Sequence, residues 1–438
     1  MLKDTLKHHN GIFVLKGDIC YTPSINNLVT LKDGYIVVVN KKVVGVYHEL
    51  PTKYLDYKLY DYTNKLIIPG LVDLHLHAPQ YSFRGLGMDL ELMDWLNQRT
   101  FPEETKYQNL DYANRAYSIF VKNMKNSATT HACIFATIHL DATKLLMDKM
   151  EESGLVSYVG KVNMDRNAPK DLCEDNVPLA YLNTRNWVEE TNYLYERTKP
   201  ILTPRFIPSC SEDLLERISR IQEEFNLPVQ SHLSENPVEI EFVKNAYPHT
   251  DYYAQAYHQH GLLGVNAKKS KYPTIMAHCV YSTTDEIYHL KENNVYVAHC
   301  PSSNTNLSSG IAPIRTFIEN GLNVGLGTDV AGGHSESILR TICDAIQVSK
   351  LYWRLIDDSK KALSFKEAFY LGTKGGGSFF GKVGSFEEGF DFSCVVLDDS
   401  SLENPNPLNI EERLERASYS SLDLYGICAK FVLDKKII

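Results

Sequence analysis

A chain of 438 residues exceeds what one compact core usually serves, so one large domain of about 300 residues with a smaller structure beside it is expected, and a small disulfide scaffold is excluded. With 43% hydrophobic and 23% charged residues the composition is that of a folded globular protein rather than a disordered chain. The 54 acidic and 45 basic residues give a formal charge of -9 without any run of five like charges, which argues against a nucleic-acid surface.

The start MLKDTLKHHN carries charges where a signal peptide needs an apolar core, and no window approaches the ~18 uninterrupted apolar residues of a membrane span. A cytoplasmic protein is therefore expected. Residues 11 to about 68 alternate short β-branched runs, such as 35–39 and 43–47, with turn residues such as Lys32-Asp33-Gly34, which predicts a small sheet of antiparallel strands. After Pro69-Gly70 the rhythm becomes strand, helix, strand. Eight strands are predicted, at 71–77, 129–136, 155–163, 201–207, 227–232, 273–279, 295–299 and 323–328, with helical patterns at 112–125, 142–152, 213–225 and 284–292 between them. This alternation predicts an α/β fold, a (β/α)8 TIM barrel with a parallel sheet. The short basic stretch Lys268, Lys269, Lys271 reads as a solvated loop.

Beyond the eighth strand come helical patterns at 336–353 and 365–371, then strand patterns at 392–397 and 429–438. The N- and C-terminal pieces are expected to pair into one small β-sandwich. That divides the chain into residues 1–68 (one half of the sandwich), 69–380 (the barrel) and 381–438 (the other half). Nine cysteines from Cys20 to Cys428, with no CxxC pair, fit reduced thiols. Lys374-Gly375-Gly376-Gly377 lacks the strand and the Lys-Ser/Thr pair of a phosphate loop and reads as a helix end.

The strongest chemical signal is His75-Leu76-His77 at the end of the first barrel strand. Residues two apart on a strand face the same side, so both imidazoles are expected to point into the barrel mouth. Alone, such a pair is as readily two polar strand residues. Three further strands end in His232, His278 and Asp329, and four such placements on one rim favour a metal site. His-rich ligation with one carboxylate suits zinc, although Fe(II) accepts similar donors. Glu235 follows His232 by three residues, where it is either a proton carrier over the metal or a carboxylate at a helix start. His8, His9, His48, His249, His258, His260 and His289 are assigned to loops and helical surfaces. His131, His139, His299 and His334 stay open, with His299 either lining the pocket or structural.

With Pro69-Gly70-Leu71-Val72-Asp73 leading into His75-Leu76-His77, then His232, His278 and Asp329 in order, the chain resembles the amidohydrolase superfamily along nearly its whole length. Within it the residues are most similar to the guanine deaminase branch, through 77–83, Trp95-Leu96, Thr100-Phe101-Pro102, Pro204-Arg205-Phe206 and 231–236. The resemblance implies one Zn2+ per chain held by His75, His77, His232 and Asp329, with Glu235, His278 and Asp329 catalytic. Binuclear relatives carry a strand-four lysine. The predicted fourth strand has none, and Lys161 sits one strand too early, which supports one metal. Hydrolysis of guanine to xanthine and ammonia is the implied reaction, with the purine held by Gln80, Arg205 and Phe206 beside His232, Glu235 and Asp329. A homodimer with neither a nucleic-acid nor a membrane partner is also implied. The alternatives are a related deaminase or chlorohydrolase acting on another aminated heterocycle, and a catalytically silent binding protein on the same fold.

Overall fold

Residues 11–264 and 273–438 are described in a computed structural model of the chain; Met1 to Asn10, with His8 and His9, and the basic stretch at Lys268, Lys269 and Lys271 lie outside them. The first four strands are Ile12–Ser24 (β1), Asn27–Val39 (β2), Lys42–Tyr47 (β3) and Lys58–Pro69 (β4). β1, β2 and β3 pair antiparallel, but β4 lies parallel to β1, contrary to the all-antiparallel expectation. The long connection through 48–57 carries the chain back to the other end of β1, which a tight turn could not do. Lys32-Asp33-Gly34 also departs from expectation: it does not end a strand but sits inside β2. There the register slips between Gly17 and Ile19, and Asp33 adopts a left-handed φ of 51°. Its N–H is taken by the Asp18 carboxylate at 3.0 Å. A bulge places one residue in the conformation of a turn, so the two look alike in sequence.

The barrel staves follow in order: Leu71–His77 (β5), Thr129–Phe135 (β6), Val156–Gly160 continued by Val162–Asn163 (β7, β8), Thr198–Pro200 continued by Thr203–Pro204 (β9, β10), Val229–Leu233 (β11), Thr274–His278 (β12), Tyr296–His299 (β13) and Asn323–Leu326 (β14). Neighbours pair in parallel, with a bridge from Leu202 to Val229 joining the two halves. Closure is made just past β14, where Asp329 N–H donates to His75 O at 2.8 Å and His77 N–H to Val330 O at 2.9 Å. Every residue of β5, β6, β11, β12 and β13 is buried, as a parallel sheet covered on both faces demands.

The fourth stave begins at Thr198 rather than at residue 201, which brings Lys199 into it. The Lys199 ammonium donates to the carbonyls of Asn192 and Tyr195, in the segment leading into the stave's start, so it turns away from the barrel mouth. Lys161 is likewise engaged, 2.6 Å from Glu174.

The helices begin where their caps put them. Asn109, Ser211, Thr283 and Ser337 each accept backbone N–H groups from the first turn of the helices Leu110–Asn126, Glu212–Phe225, Thr284–Glu292 and Ile338–Leu355. Phe365–Tyr370 continues through the wider turn Leu371–Gly375 and on to the turn Ser378–Phe380, so Lys374 lies inside a continuous helical run rather than at a helix end as expected. Ser393–Leu397 (β15), Ile427–Val432 (β16) and Lys435–Lys436 (β17) then return to the small β-sandwich. β15 pairs antiparallel with β4, giving the sheet order β17-β16-β15-β4-β1-β2-β3. Its core is Phe13, Leu15, Ile19, Ile36, Phe392 and Phe431, drawn from both ends of the chain.

Candidate active site

The two imidazoles of β5 stand together because strand residues two apart share a side. Beneath them Asp73 is fully buried and acts as an internal tie: its carboxylate accepts the N–H of His75 at 3.2 Å and, from beyond β14, the N–H of Thr328 at 3.0 Å. Asp329 follows at once with φ 46°, and His278 ends β12 with φ 74°. Left-handed backbone at non-glycine residues costs on the order of 1 kcal/mol each and survives where surrounding structure over-determines it. Here the barrel's own hydrogen bonds do so.

These strand ends bring the donor atoms of His75, His77 and His232, and those of His75, His278 and Asp329, within 4.8 Å of one another. Asp329 Oδ1 is 3.1 Å from His75 Nε2 and 3.4 Å from His77 Nε2. His77 Nε2 and His232 Nε2 face each other at 3.2 Å. His232 Nδ1–H donates to Arg205 O at 2.6 Å, which leaves the Nε2 lone pair turned toward the cluster. Both ring nitrogens of His75, Nδ1 of His77 and Nε2 of His278 are buried without a hydrogen-bond partner in the protein. Burial lowers the pKa of His75, His77, His232 and His278, keeping these rings neutral. Burial acts to raise the Asp329 carboxyl, but His75, with His278 and His77, outweighs it and holds the group well below the usual carboxylate range. Neutral imidazoles facing one another around a carboxylate, with their lone pairs unused, form the donor set of a divalent-metal site.

One pocket opens beside this cluster. It is lined by His77, His232, His278, Glu235 and Asp329 on one side and by Gln80, Arg205 and Phe206 on the other, under a roof of Leu92, Trp95 and Leu96. Of the metal-ligating, catalytic and substrate-binding residues expected from sequence, only His75 is absent from the lining. His278 Nδ1–H donates to Asn304 Oδ1 at 2.8 Å, and its Nε2 is 3.5 Å from Glu235 Oε2 and 3.8 Å from Asp329 Oδ2. Burial, with the charge of Asp329, raises the Glu235 carboxyl to about 8.

Gln80 follows β5 in the turn Ala78–Phe83, and Arg205-Phe206 follow β10. Gln80 Nε2 and Arg205 Nη1 both donate to the buried carboxylate of Glu104, at 2.8 and 2.7 Å. Sequence reading missed Glu104, which sits in the helix Phe101–Glu104 with no local signal beyond a carboxylate there; Leu307, Asn304 and the pocket role of Leu92 were missed as well. Of the open histidines, His299 is buried outside the pocket lining, its pKa brought down to about 3 by burial and then by His278. His131 pairs with Thr130 at 2.9 Å, His139 precedes the helix Leu140–Ser153, and His334 lies near Ser302 and Asn306.

Residues 66–426 match the amidohydrolase family, and the chain, with its barrel, small sandwich and His/Asp cluster, belongs to that family. Guanine deaminases are among the proteins it is similar to. The guanine deaminase of Homo sapiens is 39% identical over 347 residues, 78% of this chain and 74% of the human protein. That of Escherichia coli strain K12 is 33% identical over 414 residues, 91% of this chain and 89% of its own. A crystal structure of guanine deaminase from C. acetobutylicum, with bound guanine in the active site, is 43% identical and has a TM-score of 0.93 over 98% of this chain and 100% of that one.

Proposed function

We propose that this protein hydrolyses guanine to xanthine and ammonia, with one zinc ion held by His75, His77, His232 and Asp329. The observation that carries the reading is the single pocket that joins the His/Asp cluster to Gln80, Arg205 and Phe206, in a chain similar over its length to a guanine-bound deaminase. When bound, such a cation lowers the pKa of a coordinated water to about 7 and so supplies a nucleophile at neutral pH.

The protein's own groups do the rest. Asp329, held ionised by its histidine neighbours, takes the proton of the attacking water. Glu235 holds a proton in neutral solution and gives it to the ring nitrogen beside C2, then takes the proton left on the attacking oxygen and passes it to the departing amine. The C2–O bond forms first; the C2–N bond then breaks, ammonia leaves, and the proton held by Asp329 restores Glu235. His278, fixed through its Nδ1–H by Asn304, presents its Nε2 lone pair to accept an O–H of the attacking water and so orient it. Arg205 and Gln80 grip the purine edge, and Phe206 packs against the ring. Leu92, Trp95 and Leu96 exclude water from above.

Ammonia release from a purine and pyrimidine panel, paired with elemental analysis, tests the proposal. Guanine is expected to react fastest, with adenine and cytosine poor, and one zinc per chain. Faster release from adenine or cytosine overturns the substrate; two metals, or none in active protein, overturns the metal count. We place the protein in the cytoplasm as a homodimer: among the described residues no helix is long and apolar enough to cross a membrane, and a monomeric mass on sedimentation overturns the dimer.

A further inference from the structure

We infer that Glu104 is a positioning residue that sets the hydrogen-bonding sense of Gln80 and Arg205, and through them selects a ring edge with a carbonyl next to an N–H. The inference rests on the guanine reading and adds to it a residue that touches neither the metal site nor the reacting carbon. Gln80 and Arg205 reach the pocket from different staves, 24 and 101 residues from Glu104 in sequence, and both are tied to its one buried carboxylate.

An ionised carboxylate only accepts. Gln80 must therefore turn its NH2 toward Glu104 Oε1, and its oxygen lies on the other side, 3.4 Å from the N–H of Ala331, two residues past Asp329. Flipping the amide would set its oxygen against the carboxylate and its NH2 against a donor, so the sense is locked at both ends. Arg205 spends one Nη1–H on Glu104 Oε2 and keeps its remaining donors. The pair thus offers an acceptor from Gln80 beside donors from Arg205, in fixed order. A ring N–H next to a carbonyl matches that order, as at N1–H and O6 of guanine. A bare ring nitrogen, or an exocyclic amine in place of the carbonyl, mismatches it, and a buried mismatch is rejected far more strongly than a lost apolar contact.

The test uses the full-length, zinc-loaded enzyme with guanine and with 2-aminopurine, which carries the reacting amine at C2 but lacks both the C6 carbonyl and the N1–H. Glu104→Gln keeps the size of the side chain but presents an NH2 to one of its two donors. It is expected to lower kcat/KM for guanine about 100-fold, chiefly through KM, and to change that for 2-aminopurine by less than threefold, with zinc content unchanged. In a Gln80→Ala background the same change is expected to cost guanine less than in the wild type, since Glu104 acts partly through Gln80. Should Glu104→Gln not fold, Glu104→Asp carries the test, because it keeps the charge but reaches only one partner and is expected to lose guanine selectively in the same way. Equal losses on both substrates, or an unchanged guanine preference, overturn the inference alone. A wild-type enzyme that ignores guanine overturns the substrate reading, and this inference with it.

Discussion

Glu235 lies three residues beyond His232, and its Oε2 is 3.5 Å from His278 Nε2 while Ser309 Oγ is 3.4 Å from its Oε1. So few partners leave a buried carboxyl that prefers its proton, which suits a group that must give one to the ring nitrogen. Glu235→Gln is expected to retain the fold and the metal while kcat falls about 100-fold or more, the usual scale for a positioned proton carrier. The pH dependence follows from the direction of the shift. A carboxyl raised to about 8 keeps its proton below that value and loses it above, so the protonated form predominates at neutral pH and vanishes as pH rises. A cation on the neighbouring ligands moves that midpoint lower. Steady-state kcat/KM across pH should show an alkaline limb in the wild type that is missing in Glu235→Gln. Near wild-type turnover in the variant would reduce Glu235 to a carboxylate at the start of the helix Pro237–Ala246.

Between β5 and the helix Leu110–Asn126 the chain makes a series of short turns, Leu92–Trp95, Leu96–Thr100, Phe101–Glu104 and Thr105–Gln108, that roof the pocket and deliver Glu104 to it. The series is tied to the turn and loop that follow β5. Trp95 Nε1–H donates to Leu86 O at 3.2 Å and its ring lies 5.4 Å from Phe83, while Glu103 accepts from Ser82 Oγ and Lys106 Nζ, each at 2.6 Å. The Arg205 guanidinium sits over Phe101 at 5.6 Å, so roof and substrate clamp share a wall. Removing the indole opens the roof to water without touching the proton carriers. Trp95→Ala is therefore expected to raise KM for guanine about tenfold with kcat changed less than threefold, and to cost about 3 kcal/mol of stability as a large buried aromatic is lost. Trp95→Phe should restore most of both, and steady-state kinetics with thermal melting would read the two effects separately.

Besides apolar contact, a polar clamp holds the small sandwich to the barrel. Lys430, on β16, is fully buried, which brings its pKa down to about 7, and its Nζ lies within hydrogen-bond reach of the carbonyls of Met124 at 3.2 Å, Lys125 at 3.3 Å, Ser127 at 2.8 Å and Thr129. The first two belong to the last turn of the helix Leu110–Asn126, where carbonyls lack partners and the helix dipole favours a cation. The last two lead into β6. Within the small domain Arg413, from the helix Ile410–Tyr419, ties the two ends of the chain together, donating to Asp18 of β1, to Asp399 and to Asn64 O of β4. Lys430→Met keeps the length of the side chain but strands these carbonyls, and a buried acceptor left unpaired costs roughly 1–3 kcal/mol. The variant should melt several degrees lower while its kcat and zinc content at low temperature match the wild type. An unchanged melting temperature would show that water replaces the ammonium at no cost.

Much of the barrel and of the metal-ligating rim was legible in the chain because both are local patterns. Apolar runs a few residues long mark the staves, and a period of two puts His75 and His77 on one side, so neither depends on distant partners. The ends of the chain likewise showed their strand character, and their pairing into one small sandwich was expected. What only the tertiary structure decided is the set of contacts between segments far apart. β4 runs parallel to β1 because of where the 48–57 connection leads, and Asp33 bulges because Asp18 and Gly17 stand opposite it. The fourth stave starts at Thr198 because β7 pairs with it there, although Thr-Lys-Pro has no strand signature. Glu104 reads in sequence as one acid among 54 Asp and Glu residues, and Lys430 as one cation among 45. A side chain's hydrogen-bond partners are set by how loops and strands pack in space, and no short window of sequence carries that information.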